Sequence, residues 1–339
     1  MALPSPDELF NRIDDKAGGV VQTLKRRWKL RLRYLVYRRH LHATADGLDR
    51  CGLAYAAQVD PFLLLRPLRS YLWAGLGPAD RARHLVAHCV WASRQLPCSA
   101  LHDLYRGGRL SVLSWPLAAP EGVTRVMTVD LQPGRDLGRE GGMELHLRLD
   151  GHPVMRASFS ILPAAALGGA GSGPQHVMVI GSLQGSEGGA DLVRELTQLT
   201  QRIRPRHLML TLLQGLAAGW GLQGLYGVAR GAHVYARYRG LAQRVGVDYD
   251  EMWADLGATE SVGTHWQLPL TSPARPESEV PSRKRAEHRR RTALRQQILD
   301  ACAQAAGRGF VAEGSDSPRL VPPVAAPVEA AMPALLNAA

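Results

Sequence analysis

Residues 207–229 run for 23 positions without a single Asp, Glu, Lys or Arg. A stretch of that length has to be buried, in a bilayer or in a protein core. Gln214, Gln223 and five glycines interrupt it, and Gly219-Trp220-Gly221 breaks the pattern in the middle. A buried helix leading into a buried strand explains it better than a membrane span. The stretch belongs to a longer unit, residues 175–239. Here an apolar run over 176–183 ends in a Gly-rich turn, Gln184-Gly185-Ser186-Glu187-Gly188-Gly189-Ala190. Two helix-patterned segments separated by Arg204-Pro205 follow, then the strand-like Leu225-Tyr226-Gly227-Val228. The order is strand, helix, helix, strand, with the Gly-rich turn at a helix N-terminus.

Upstream of this unit the texture is that of strands. Met143, Leu145, Leu147 and Leu149 alternate with Glu144, His146 and Arg148, so a strand over 143–149 presents two different faces. Asp150-Gly151 signals a two-residue hairpin turn, with 153–162 as the returning strand. Residues 124–131 read as a preceding strand, and 175–183 as a further, central neighbour in the same sheet. The first third reads as helices over 22–41, 56–76 and 79–96, the last with Asp80 as N-cap and Pro97 as its stop. In the first of these, Leu24, Trp28, Leu32, Leu35 and Val36 recur at spacings of three and four. That stripe is expected to face inward, with Trp28 buried and the arginines splayed outward.

Beyond residue 239 the pattern shortens. Residues 248–257 suggest a short acidic helix closed by Gly257, and His265-Trp266-Gln267-Leu268-Pro269 an edge strand. Leu294, Ile298, Ala301, Cys302 and Ala305 form a stripe by which a basic C-terminal helix docks through its second half. The expected organisation is a flexible 1–21, a helical part over 22–110, an α+β core over 111–270, a connector over 271–282, a basic helix over 283–306 and a disordered tail over 307–339. The fold class is α+β: a mixed, largely antiparallel sheet with flanking helices.

Four cysteines lie far apart with no CxxC spacing, which suits free thiols in a reducing cytosol. The N-terminus carries acids and prolines where a signal peptide needs a basic segment and an apolar run. The expected location is cytoplasmic, including peripheral attachment at the inner membrane. His84 and His88 stand four apart without a third ligand, so they read as a pair on a half-buried helix face, and no metal is expected. The formal net charge is +11, but residues 25–39 hold eight Lys/Arg and no acid, and residues 283–295 hold seven against one. The remainder has 26 basic and 29 acidic residues. Two patches therefore carry the basicity: Lys25, Arg26, Arg27 and Arg31 in the first, Arg285, Arg289, Arg290 and Arg291 in the second. Such patches suit RNA or an anionic membrane surface.

No P-loop, HExxH or GxSxG motif is present. The Gly-rich turn remains. Gln184, Gly185, Gly188 and Gly189 are candidates for a phosphate cradle, because main-chain amides at a helix N-terminus attract anions. Glu187 and Asp191 place negative charge at the same spot. His233 and Tyr235, just past the strand at 225–228, are candidate acid/base groups. Hairpin, further strand, Gly-rich turn and helix together are similar to the acyl-CoA half of GNAT-type acetyltransferases, whose Q-x-x-G-x-G/A turn holds the pyrophosphate. Here three residues separate Gln184 from Gly188-Gly189-Ala190, one residue out of register. This resemblance implies acyl-CoA as the cofactor and a GNAT-like second half.

A second resemblance covers residues 30–305. VMVIGSLQG, RPRHLML, GVARGAHVY, YDEMWADLG and PSRKRAEHRRR, with the EGGMELHLRLDG hairpin and the Arg83/His88 region, resemble the VirK/YbjX family of bacterial proteins. Cys89, Gln198 and Gly231 depart from the expected pattern. The resemblance implies an uncharacterised intracellular protein linked to virulence-factor expression and tolerance of envelope stress such as antimicrobial peptides. It brings no catalytic residues.

Overall fold

The computed structural model describes residues 20–310 apart from 61, 120–121, 136, 169–174, 237–245 and 273–274, together with Leu3, Ser5 and Glu8. The tail over 311–339 and most of 1–21 lie outside the described residues. The chain begins with α1 (Val20–Arg50), α2 (Ala54–Val59), α3 (Phe62–Leu65), α4 (Pro78–Gln95) and α5 (Cys98–Tyr105). Strands β1 (Leu110–Ala118), β2 (Thr124–Pro133), β3 (Met143–Leu149), β4 (His152–Pro163) and β5 (His176–Gly185) follow. Next come α6 (Ala190–Leu199), α7 (Pro205–Gly219) and β6 (Gly224–Val228). The described part closes with α8 (Tyr249–Asp255), β7 (Glu260–Val262), β8 (His265–Leu268) and α9 (Ser282–Gly307).

The eight strands of the described residues join one sheet in the order β1-β2-β3-β4-β5-β6-β8-β7. Only β5 and β6 run parallel; every other neighbour is antiparallel. The fold is thus α+β with a mixed, mostly antiparallel sheet. The hairpin forms where its sequence signal stands: Asp150 (φ 47°) and Gly151 (φ 80°) are both left-handed, as a two-residue turn between twisted strands requires. The Asp150 carboxylate accepts from the Val126 amide at 2.7 Å and lies 2.6 Å from Arg125 Nε, tying the turn to β2. The second face of β3 is covered as well. Glu144 and His146 are buried, Glu144 accepting from the Leu137 amide at 2.8 Å and lying 3.0 Å from His146 Nε2.

The uncharged stretch becomes α7 and β6, as its composition demands. α7 is buried along most of its length because α9 lies directly on it. Gly215 and Gly219 allow this approach, since a Cβ at either would overlap the Cys302 or Ala306 side chains and the α9 backbone. Ile298, Cys302 and Ala306 are the buried residues of α9, so the helix docks by its second half.

Four expectations are corrected. The stripe on α1 faces solvent: Trp28 is 70% exposed and Leu35 68%, with Leu24, Leu32 and Val36 also exposed. Tyr34, Leu41, Ala45 and Leu48 face inward instead, and α4 packs against the helix. Residues 56–76 do not form one helix. They divide into α2, α3 and a 3-10 turn at Arg66–Leu68 with Pro67 in its first turn, and the chain is non-helical from Arg69. Gly77, not Asp80, caps α4, with Pro78 as its first residue. Finally, β8 is not an edge strand. It sits between β6 and β7, and the three-residue β7 takes the edge.

Candidate functional site

The site forms where the parallel pair parts. β5 and β6 are in register from Val177↔Gly224 to Ile180↔Gly227. Beyond this β5 continues to Gly185, whereas β6 ends at Val228. Two segments enter the space between them. The turn joining β2 to β3 brings in Glu140, and the non-helical segment after the Arg66–Leu68 turn brings in Trp73. The Leu72 amide donates to the Arg139 carbonyl at 2.7 Å, the Ala74 amide to the Ala232 carbonyl at 2.7 Å, and Trp73 pairs with His233 as an antiparallel bridge. Gly181 of β5 permits this, because a Cβ there would overlap the Glu140 carbonyl.

Glu140 is 1% exposed and sits at the centre of a polar cluster. Ser182 of β5 donates its hydroxyl to Glu140 Oε2. Gln184 Nε2 lies 3.4 Å and 3.3 Å from the two carboxylate oxygens. His233 Nε2 is 3.5 Å from Oε1, within ion-pair range but not aligned for a hydrogen bond. His233 follows the 3-10 turn Arg230–Ala232, which ends β6 and aims the imidazole back at β5. Its ring stacks on Tyr249, the first residue of α8, with centroids 5.0 Å apart and planes 14° apart. Burial, and after it the Glu140 carboxylate, push the Tyr249 phenol well above its ordinary range. A buried carboxylate that accepts from a hydroxyl and an amide, with an imidazole within ion-pair range, brings together the group types that acid–base chemistry uses.

The sequence-derived candidates are distributed as follows. Gln184 and His233 come together through Glu140. Tyr235 is half-buried nearby, its ring 5.6 Å from His233 and 5.9 Å from the Arg139 guanidinium. Gly185 and Gly188 are exposed, Gly188 with φ 69°, while Gly189 is buried and gives its amide to the Ser186 carbonyl at 3.1 Å. Glu187 and Asp191 are exposed at the same turn, Asp191 pairing with Arg194 at 2.9 Å. In the first basic patch Lys25 and Arg31 are exposed and Arg27 is half-buried; the Arg26 side chain lies outside the described residues. In the second, Arg290 is exposed and Arg291 half-buried. Arg289 pairs with Glu277 at 2.6 Å, and Arg285 donates to the Val280 carbonyl at 3.0 Å. The first patch rides on a helix held by α4, the second on one held by α7.

Sequence reasoning missed Glu140, Ser182 and Tyr249. The available signal was Glu140-Gly141-Gly142, an acid followed by two residues that admit close backbone approach. A Cβ at Gly141 would overlap β4, and one at Gly142 would overlap His88. The two histidines expected to share a helix face are both buried and meet different neighbours. His88 Nδ1 accepts from the Ile161 amide at 3.1 Å, and burial pushes the ring down to about 3. His84 lies 5.3 Å from the Trp73 ring, which meets His265 edge-on at 4.6 Å. Burial, then the charge of His84, push His265 down to about 4. Among the described residues no three His, Cys, Asp or Glu side chains gather as a metal site. No helix of the described part is long and apolar enough to cross a membrane.

The family model described as protein of unknown function (DUF535) matches residues 19–304. The uncharacterised protein YbjX of Escherichia coli K12 is 25% identical over 247 residues, covering 71% of this chain and 70% of that protein. An uncharacterised protein of Haemophilus influenzae Rd is 30% identical over 119 residues, 34% of this chain and 39% of that protein. No solved structure matches. The match across nearly all the described residues, together with YbjX, means that the chain belongs to the DUF535 family, the VirK/YbjX family of bacterial proteins.

Proposed function

We propose that this protein works at an anionic membrane surface, in the envelope-stress tolerance and virulence-factor expression implied by the family resemblance. The observation that carries this reading is α1. Leu24, Trp28, Leu32, Leu35 and Val36 lie exposed along one face, with the exposed Lys25, Lys29 and Arg31 beside them. An apolar stripe flanked by cations suits the boundary between anionic headgroups and acyl chains. The stripe favours lipid over RNA, because aliphatic side chains gain from acyl chains and little from bases.

The test is co-sedimentation with vesicles. The protein should pellet with vesicles rich in phosphatidylglycerol and much less with phosphatidylcholine alone. Trp28→Ala should weaken binding by about tenfold or more, since burying a large apolar side chain is worth roughly 1.5–3 kcal/mol. Equal retention on neutral vesicles, release by RNA competitor, or unchanged binding of the variant would count against the reading.

A second reading, an acyl-CoA-dependent N-acyltransferase of GNAT type, is favoured by the sheet. Antiparallel strands up to β5, the Gly-rich turn and α6 after it, and a parallel β6 that parts from β5 support it. In this reading the turn at Gly188 and Gly189 holds phosphate through amides other than that of Gly189, which Ser186 engages, and the Glu140–His233 pair takes the proton of the attacking amine. The amine nitrogen bonds to the thioester carbon, the carbon–sulfur bond breaks, and Tyr235 protonates the departing thiolate. Acetyl-CoA should then raise the melting temperature of the parent, and Gly189→Val should abolish the rise while leaving the uncomplexed protein folded. No rise in the parent, or the same rise in the variant, would remove this reading.

A further inference from the structure

A second polar site is built from other elements. A cavity of about 500 Å³ opens between the start of α7, the residues just before it, and the middle of α9. Its lining holds five arginines and two histidines and no carboxylate. Arg202 and Arg275 have partners outside it, Glu287 at 3.3 Å and Glu279 at 3.2 Å. Among the described residues no carboxylate pairs with Arg204, Arg291 or Arg295, although Arg295 Nε donates to Thr211 Oγ1 at 3.0 Å. Burial lowers the pKa of Arg295. Burial, then Arg206, Arg295 and Arg204, lower that of His207. Like charges gathered in a partly dry cleft repel one another until an anion joins them.

Two buried atoms in the lining point the same way. His207 Nδ1 and Gln214 Oε1 have no hydrogen-bond partner, and Gln214 is 0% exposed. Gln214 Nε2 is already committed to the Pro269 carbonyl at 2.7 Å and Ser272 Oγ at 2.8 Å, so Oε1 can serve only as an acceptor. The cavity thus offers cationic donors for an anion and one acceptor for a hydroxyl. The opening turn of α7, with Arg204 as N-cap and Pro205 first, adds the positive end of a fifteen-residue helix. The volume suits a small molecule rather than a nucleic-acid strand. We propose that this cavity binds a small phosphorylated ligand, with a phosphate or pyrophosphate group among the arginines and a hydroxyl on Gln214.

The inference goes beyond both functional readings, since none of the lining residues belongs to the stripe on α1, the Glu140 cluster or the Gly-rich turn. Inorganic pyrophosphate and glycerol 3-phosphate are the probes, titrated calorimetrically into the full chain at physiological salt. A saturable heat of one site per chain is expected from at least one probe. The double variant Arg204→Gln, Arg291→Gln should weaken it at least tenfold. Arg289→Gln, Arg290→Gln, on the same helix outside the lining, should leave it unchanged. Absence of saturable heat, or equal loss in the two arginine pairs, would overturn the proposal. Circular dichroism of each variant separates lost binding from lost fold.

Discussion

Replacing Glu140 with Ala should lower stability by about 3 kcal/mol or more, read as a drop in the urea midpoint. The carboxylate is the shared partner of Ser182, Gln184 and His233, all drawn into the gap where β5 and β6 part. Without it Ser182 and His233 stay buried and poorly partnered, with the half-buried Gln184 beside them, and each such buried group costs on the order of 1–3 kcal/mol. Glu140→Gln keeps the shape and some of the hydrogen bonding, so its loss should be clearly smaller. An Ala variant with the parental midpoint would show that Glu140 does not organise this region.

Gly181→Ala is expected to be comparably damaging, costing about 3 kcal/mol or preventing folding. The added carbon would occupy the position of the Glu140 carbonyl, which is backbone and cannot rotate aside. Relief would require moving the turn before β3, together with the Leu72–Arg139 hydrogen bond it anchors. Gly185→Ala supplies the control on the same strand. Nothing lies within 4 Å of a Cβ there, so its effect should stay within roughly 0.5 kcal/mol. Similar midpoints for the two variants would mean that the turn does not pack against β5 as described.

Local chemistry made several elements legible from the chain alone. The strand over 143–149 and its Asp150-Gly151 turn needed only period-two alternation and two residues tolerant of positive φ. The uncharged stretch had to be buried, while the close approach that its glycines allow between α7 and α9 came only with the fold. The half of α9 that docks was marked by Leu294, Ile298 and Cys302. Gln184 was a candidate from a Gly-rich turn and His233 from the end of a strand, and neither signal pointed to the other.

Tertiary structure alone decided which of two apolar faces α1 buries. Tyr34, Leu41 and Leu48 lie on one side, Leu24, Trp28 and Leu32 on another, and helical period cannot rank them because burial depends on what packs alongside. The position of β8 inside the sheet was equally hidden: a four-residue strand reads the same at an edge or beside one. Glu140, Ser182, His233 and Tyr249 meet although nearly 110 residues separate the first from the last. Only the parting of β5 from β6, and a glycine where the turn crosses, bring them together. The sequence determined the elements and their burial where the signal was local. The site is a meeting of distant segments, and that the folded chain alone decides.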